Sequence, residues 1–372
     1  MYNFLAMTHT TPLLPLAPPI NLVDLRYNEL HNAITAFGEP PFRAKQIHEW
    51  LFSHHANSFA AMSSLPLRLR EKLAERFTLQ RPEVVEVQES CESGCLRPTR
   101  KILLKLSDGA LIECVLIPAE ERMTACLSSQ AGCPMQCTFC ATGTMGLQRN
   151  LSAGEIWEQL YALNGLALQE GKTITNVVFM GMGEPLLNTD NVLEAIATMS
   201  SRNYNLSLSQ RKITISTVGI VPEIERLSRS GLKTKLAVSL HSARQEVRQQ
   251  LMPIAAERYP LPLLSKSLEA YSKATGEAIT IVYMMLNGVN DSKEDAHLLA
   301  RYCRHFSCKI NLIDYNPILT IRFGSVQESQ KNEFQAYLMA QKFHVTVRKS
   351  YGASVNAACG QLVTQQQRRT IK

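Results

Sequence analysis

Gln130-Ala131-Gly132-Cys133-Pro134-Met135-Gln136-Cys137-Thr138-Phe139-Cys140-Ala141-Thr142-Gly143 sets three cysteines in a C-x3-C-x2-C spacing, with an aromatic residue immediately before the last. Zinc closes a tetrahedron, so a structural zinc site here would need a fourth cysteine or histidine nearby. Cys126, seven residues upstream, is the available sulfur, but it falls in a run that reads as a strand. Three thiolates can instead hold three corners of a cubane iron–sulfur cluster, whose usual complement is four. The fourth iron is then open to a substrate that chelates it. Spacing alone favours the cluster and leaves zinc, or a loop of unligated cysteines, as alternatives.

Outward from this loop, composition bounds what the chain can be. Its 372 residues, 45% hydrophobic and 19% charged, suffice for one large domain and a smaller one. The formal net charge of +7 suits a polyanionic partner without demanding one. Ten cysteines lack the even spacing of a disulfide framework, which points to a reducing compartment. Residues 1–21 read as a flexible arm, because Pro12, Pro15, Pro18 and Pro19 interrupt any helix. No Lys or Arg precedes Arg26, so a signal peptide would lack its charged start. With no apolar run long enough to span a membrane, the expectation is a soluble cytoplasmic protein.

Residues 22–80 carry helical periodicity. In Pro41–Phe52, Ile47, Trp50 and Leu51 fall on one face, leaving Arg43, Lys45 and His48 for another. That basic face is either a solvated side of a small bundle or a nucleic-acid surface. Over 81–118 come strand-like runs at Glu83–Glu89, Arg100–Leu106 and Ala110–Ile117, with Asp108-Gly109 as a hairpin turn. In the third run Leu111, Glu113, Val115 and Ile117 share a face. A carboxylate in such a row is either desolvated and suited to proton transfer, or it lies at an open edge; unaided, the pattern favours the edge.

From Met123 onward strands and helices alternate. The strand runs are Met123–Ser128, Thr175–Met180, Lys212–Thr217, Lys235–Leu240, Ala278–Met285 and Lys309–Tyr315, with a last one at His344–Lys349. Such alternation predicts a parallel sheet with helical crossovers, and ligands in such folds gather at the C-terminal strand ends. Those ends carry the cysteine loop, Gly181-Met182-Gly183-Glu184-Pro185, Ser216-Thr217, Ser239-Leu240-His241 and, after the sixth run, Asn316. Each is weak alone, but together they make a pocket for S-adenosylmethionine (SAM) beside a cluster. Cys359, flanked by Ala358 and Gly360, is either an accessible thiol or an inert buried cysteine. Cys91, Cys95, Cys114, Cys303 and Cys308 carry no pattern that assigns them a role.

The loop's spacing resembles the signature of the radical-SAM superfamily, and four further stretches narrow the likeness. Ala125-Cys126-Leu127-Ser128-Ser129-Gln130, Gly181–Pro185, Ser239-Leu240-His241 and Ala358-Cys359-Gly360-Gln361-Leu362 resemble the RlmN/Cfr family of radical-SAM RNA adenine methyltransferases. The likeness runs from about Leu22 to Leu362. It implies an α/β fold: a partial (βα)6 TIM-like barrel over 119–350, a helical accessory domain over 22–80, a β extension over 81–118, and a loop and tail over 351–372. It implies one [4Fe-4S] cluster on Cys133, Cys137 and Cys140, and SAM contacts at Gly183, Glu184, Ser216, Ser239, Leu240, His241 and Asn316.

The resemblance also implies the chemistry. Two SAM molecules serve each turnover: one methylates Cys359, and the other is cleaved to a radical that takes a hydrogen from the S-methyl group. The resulting carbon radical adds to adenine, Glu113 accepts a proton, and Cys126 attacks Cys359, releasing the base through a transient disulfide. The implied substrates are adenosine 2503 of 23S rRNA and adenosine 37 of tRNA, modified at carbon 2, or at carbon 8 of the same rRNA adenosine in the Cfr type. An electron donor such as flavodoxin or ferredoxin is implied as well. One departure is visible: Gly352-Ala353-Ser354-Val355-Asn356 stands where the family carries an acidic run. A radical activating enzyme acting on a protein, and a zinc-stabilised RNA-binding protein, are the readings from other classes.

Overall fold

The structure is a computed structural model describing residues 20–90, 97–201, 206–318, 323–348 and 352–362; the arm up to residue 19, Cys91, Cys95, Lys349 and the Gln365–Arg369 tail lie outside them. The short strands β1 (Ile20–Asn21) and β2 (Phe77–Thr78) pair in parallel and bracket helices α1 (Tyr27–Ala36), α2 (Phe42–Phe52) and α3 (Leu67–Arg76). Apolar residues four apart, Leu30 and Ile34, Ile47 and Leu51, Leu69 and Leu73, turn one stripe of each helix into a common core. On α2 that stripe is Ala44, Ile47, His48, Leu51 and Phe52, so His48 is buried and does not belong to the basic face with Arg43 and Lys45. It packs on Tyr27 and Phe52, and burial lowers its pKa to about 4. Trp50, expected inside, is only half-buried and donates its indole N–H to Ser64 Oγ at 2.7 Å.

One ten-stranded sheet organises the rest. Strands β3 (Glu83–Ser90), β4 (Thr99–Lys105), β5 (Leu111–Ala119) and β6 (Arg122–Cys126) are successively antiparallel. The hairpin β7 (Gln130–Gly132) and β8 (Leu147–Asn150) lies apart from the sheet and encloses the cysteine loop with helix α4 (Ala141–Thr144). Then α5 (Ala153–Gln169), β9 (Asn176–Phe179), α6 (Thr189–Ser200), β10 (Ile213–Thr217), α7 (Val221–Arg229) and β11 (Lys235–Ser239) alternate. Helices α8 (Gln245–Leu251), α9 (Pro253–Arg258) and α10 (Leu261–Thr275) precede β12 (Ile279–Met285), followed by α11 (Lys293–Cys303), β13 (Cys308–Asp314), α12 (Glu328–Ala340) and β14 (Val345–Arg348).

The sheet order is β14-β13-β12-β11-β10-β9-β6-β5-β4-β3, parallel from β6 to β14 and antiparallel beyond β6. The β extension therefore continues the main sheet through β5 and β6, and three strands form it, with Gly109 (φ +84°) at the expected turn. Six strand-helix units and a final strand make the open wall of an α/β fold of the expected partial-barrel kind. Because all seven parallel strands point the same way, Cys126, Thr217, Ser239, Asp314 and Arg348 finish at one end of it. The open-edge placement of Glu113 is overturned: β5 has a partner on each side, and Glu113 is 3% exposed. Strand β12 is buried at every position but Thr280, as a central strand of a parallel sheet covered on both faces requires. The helical head is held to α5 by Arg81 and His55, which both pair with the buried Glu158. Among the described residues no helix is long and apolar enough to cross a membrane.

Candidate active site

The cysteine loop is closed by the hairpin that flanks it. Cys133 N donates to Gly146 O at 2.9 Å, and a Cβ on Gly132 would lie 1.9 Å from that same oxygen, so only glycine fits there. Cys140 N donates to Cys137 O at 3.1 Å, folding the last turn of the loop. Thr138 anchors it to α8: its N–H donates to Leu251 O at 2.9 Å and its hydroxyl to Gln250 O at 3.2 Å. Burial pushes the Cys133 thiol up to about 12 and the Cys137 and Cys140 thiols upward too, and the negative thiolates would repel one another. A bound cation reverses that balance, because its charge stabilises thiolates that burial disfavours.

The donor set is three thiols on one short loop. Among the described residues no three His, Cys, Asp or Glu converge on one point as ligands of a single ion would. A cube that takes each thiolate on a different iron suits them better.

Cys126 and Cys359 face the same cleft, of about 490 Å³ including open solvent, together with Ile117, Met180, Asn316 and Arg348. Cys126 ends β6, where burial and the neighbouring Cys359 push its pKa up to about 12 while Arg348 pulls it down. Cys359 is half-buried, and all the cysteines among the described residues are free thiols. The segment bearing Cys359 is stapled to three parts of the fold. Toward the cysteine loop, Ala141 N donates to Gly360 O and Thr142 Oγ1 to Leu362 O, both at 2.7 Å. Toward the end of β13, Asn316 Nδ2 reaches Cys359 O at 3.5 Å and Gln361 Nε2 reaches Pro317 O at 3.0 Å. Toward the antiparallel strands, the Ser354 and Ser90 hydroxyls lie 2.6 Å apart and Lys101 Nζ donates to Asn356 O at 3.4 Å. A serine and a backbone carbonyl of the 352–356 stretch make those last contacts.

The remaining residues ring the loop. Gly183 has φ +97°, and a Cβ there would lie 2.5 Å from Gln130 Cβ. Buried Glu184 accepts from Leu186 N (3.0 Å) and Val218 N (2.8 Å), and burial raises its pKa to about 7. Ser216 and Ser239 are half-buried at their strand ends, and Leu240 is fully buried. His241 Nδ1 accepts from Met284 N at 3.0 Å, so the neutral ring carries its proton on Nε2. Burial and Arg248 lower its pKa to about 3, and Phe139 of the cysteine loop packs edge-on against it at 4.8 Å.

Sequence reasoning missed three residues. Lys101 forms an ion pair with Glu113 at 3.0 Å, both side chains 4% exposed; a lysine opening the apolar run Ile102-Leu103-Leu104 was its signal. Arg348, at the end of β14, lines the cleft. Arg248, on α8, gave no signal at all.

Comparison with known proteins agrees with this geometry. Residues 127–300 match the Radical SAM superfamily and residues 20–79 match the ribosomal RNA large subunit methyltransferase N-terminal domain. The chain is 58% identical over 346 residues to the probable dual-specificity RNA methyltransferase RlmN of Pelodictyon phaeoclathratiforme, covering 92% of this chain and 96% of that one. It is 56% identical to the protein of the same description from Chlorobium phaeovibrioides, covering 93% of each. A radical SAM methyltransferase from Sphaerobacter thermophilus superposes with a TM-score of 0.83 at 40% identity, over 92% of this chain and 99% of its own. The chain belongs to the RlmN family of radical-SAM RNA methyltransferases.

Proposed function

We propose that this protein methylates carbon 2 of adenosine 2503 in 23S rRNA and of adenosine 37 in tRNA, using a methyl group carried on Cys359. The observation that carries this reading is the meeting of Cys126 and Cys359 in one cleft beside the cysteine loop. The amidine carbon of adenine is electrophilic and cannot itself attack the methyl of SAM, so a thiol intermediary is needed. An enzyme that activates a protein by radical chemistry has no use for two such thiols.

A [4Fe-4S] cluster on Cys133, Cys137 and Cys140 would supply one electron to SAM. In this reading Glu184 would meet the SAM ammonium, Gly183 and Leu240 would offer backbone, and Ser216, Ser239, His241 and Asn316 would offer polar side chains. The Cys359 thiolate takes the methyl of a first SAM, leaving S-adenosylhomocysteine. Once a hydrogen atom has been removed from that S-methyl group with the second SAM, its carbon bonds to the adenine ring and Glu113 takes the ring proton. The unpaired electron left on the ring would pass to a one-electron acceptor, a role the oxidised cluster would fill. The Cys126 thiolate then attacks the Cys359 sulfur: the sulfur–carbon bond breaks, the released methylene carbon takes up a proton to become the methyl group, and a Cys126–Cys359 disulfide remains for a cellular reductant to reopen. Arg348 is the group in the cleft that favours the Cys126 thiolate. Two SAM per turnover, an electron donor such as flavodoxin or ferredoxin, and a cytoplasmic setting belong to the same reading.

The test is a pair of substitutions. Cys359→Ala has no methyl acceptor and should never become joined to RNA, whereas Cys126→Ala should add to adenine and stall as a covalent protein–RNA adduct. A denaturing gel with and without ribonuclease reads this. An adduct in Cys359→Ala, or none in iron-loaded Cys126→Ala, would overturn the assignment. Mass spectrometry of the product nucleoside against carbon-2 and carbon-8 standards decides the regiochemistry.

A further inference from the structure

Arg248 sits on α8 with no solvent exposure at all, 0%. Its terminal nitrogens donate to the carbonyls of Val218 at 2.8 Å and Tyr259 at 3.3 Å, and its Nε has no partner. Among the described residues no carboxylate pairs with it; the acidic groups near it are the Tyr302 hydroxyl and the Cys137 thiol. A guanidinium taken out of water without an anion is strongly disfavoured, and proteins rarely leave such a charge uncompensated.

Two contacts show where the missing charge belongs. The last carbonyls of α8, Gln250 O and Leu251 O, hold Thr138, which lies between Cys137 and Cys140. The Val218 peptide that receives the guanidinium on its carbonyl gives its N–H to Glu184 Oε2 at 2.8 Å. Arg248 is thus tied through one helix to the cysteine loop and through one peptide to Glu184. When the three thiols lose their protons to hold iron, negative charge appears beside Arg248.

We infer that Arg248 is the built-in counter-charge of the cysteine loop, a buried cation whose partner arrives only when Cys133, Cys137 and Cys140 become thiolates on a cluster. The inference rests on the radical-SAM reading of that loop. A fixed cation at this distance from water favours both retention of an anionic cluster and its acceptance of one more electron. The competing role is a strut that merely pins the Val218 and Tyr259 carbonyls.

The experiment compares wild type, Arg248→Lys and Arg248→Met, each as iron-free and as reconstituted protein. Three quantities are read: thermal unfolding of the iron-free form, the rate of iron loss to a chelator, and the reduction potential of the bound cluster. Iron-free Arg248→Met should unfold at the wild-type temperature or above, because an uncompensated buried charge is gone. The same variant, reconstituted, should lose iron several-fold faster and show a more negative potential, while Arg248→Lys stays near wild type in potential. Unchanged retention and potential in Arg248→Met would overturn the inference. So would equal losses of iron-free stability in both variants, which is what a strut predicts. A wild-type protein that takes up no cluster would instead sink the reading of the loop itself, and the two failures are told apart by that control.

Discussion

Lys101 and Glu113 illustrate how much depends on a single buried pair. Each side chain is 4% exposed and their charged atoms lie 3.0 Å apart, on strands β4 and β5 in the interior of the sheet. Removing one member of such a pair leaves the other charge in a medium that solvates it poorly, at a cost of about 3–5 kcal/mol. Lys101→Met should therefore lower unfolding stability by that order in a denaturant titration. Combining it with Glu113→Gln should recover part of the loss, because the orphaned charge is removed. Equal stability of the single and double variants would show that the pair is not coupled. Neither residue needs to touch the helical head, so its fold should be intact in both. Arg348 and Cys126 make a comparable couple across the cleft, the cation offsetting part of the burial that disfavours the thiolate.

Among elements, α2 and the segment around Cys359 are governed by where they dock. In α2 the imidazole of His48 is packed between aromatic rings and its pKa falls from 6.5 to about 4. The folded chain thus holds this ring neutral while the unfolded chain protonates it, so stability is complete above about pH 6.5 and is lost as pH falls toward 4. The linked loss approaches about 3 kcal/mol at the acid end. His48→Gln should flatten the stability–pH profile over that window relative to wild type; an identical slope would show that His48 does not supply it. The Cys359 segment is held by hydrogen bonds to three separate parts of the fold. Thr142→Val deletes the 2.7 Å hydrogen bond to Leu362 O, worth about 1 kcal/mol. Cleavage of SAM should persist in that variant while formation of methylated RNA falls, an uncoupling measured as the ratio of the two products. A parallel fall in both would place the bond's effect on the cluster loop rather than on Cys359.

At the scale of the whole molecule, a net charge of +7 and a cleft at one end of the sheet suit a folded polyanion. If Arg43 and Lys45 contact phosphates, RNA affinity should fall steeply between about 50 and 200 mM salt, with log Kd linear in log salt. A flat filter-binding series across that range would remove phosphates from the account. The sequence by itself determined everything that short-range spacing can encode. Three sulfurs within eight residues, Cys133 to Cys140, can share one cofactor whatever surrounds them, and strand–helix alternation forces parallel strands whose ends gather polar residues at one place. Periodicity also names the faces of an element, but it does not say what covers them. Whether Glu113 lay at an edge depended on β6 pairing with the far side of β5, and whether His48 met solvent depended on Tyr27 of another helix. The approach of Cys359 to Cys126, and the charge left on Arg248 without a carboxylate, were likewise decided only by the tertiary structure. Each arises from contacts between residues far apart in the chain, whose pairing is chosen by the packing of the whole core and leaves no mark in local sequence.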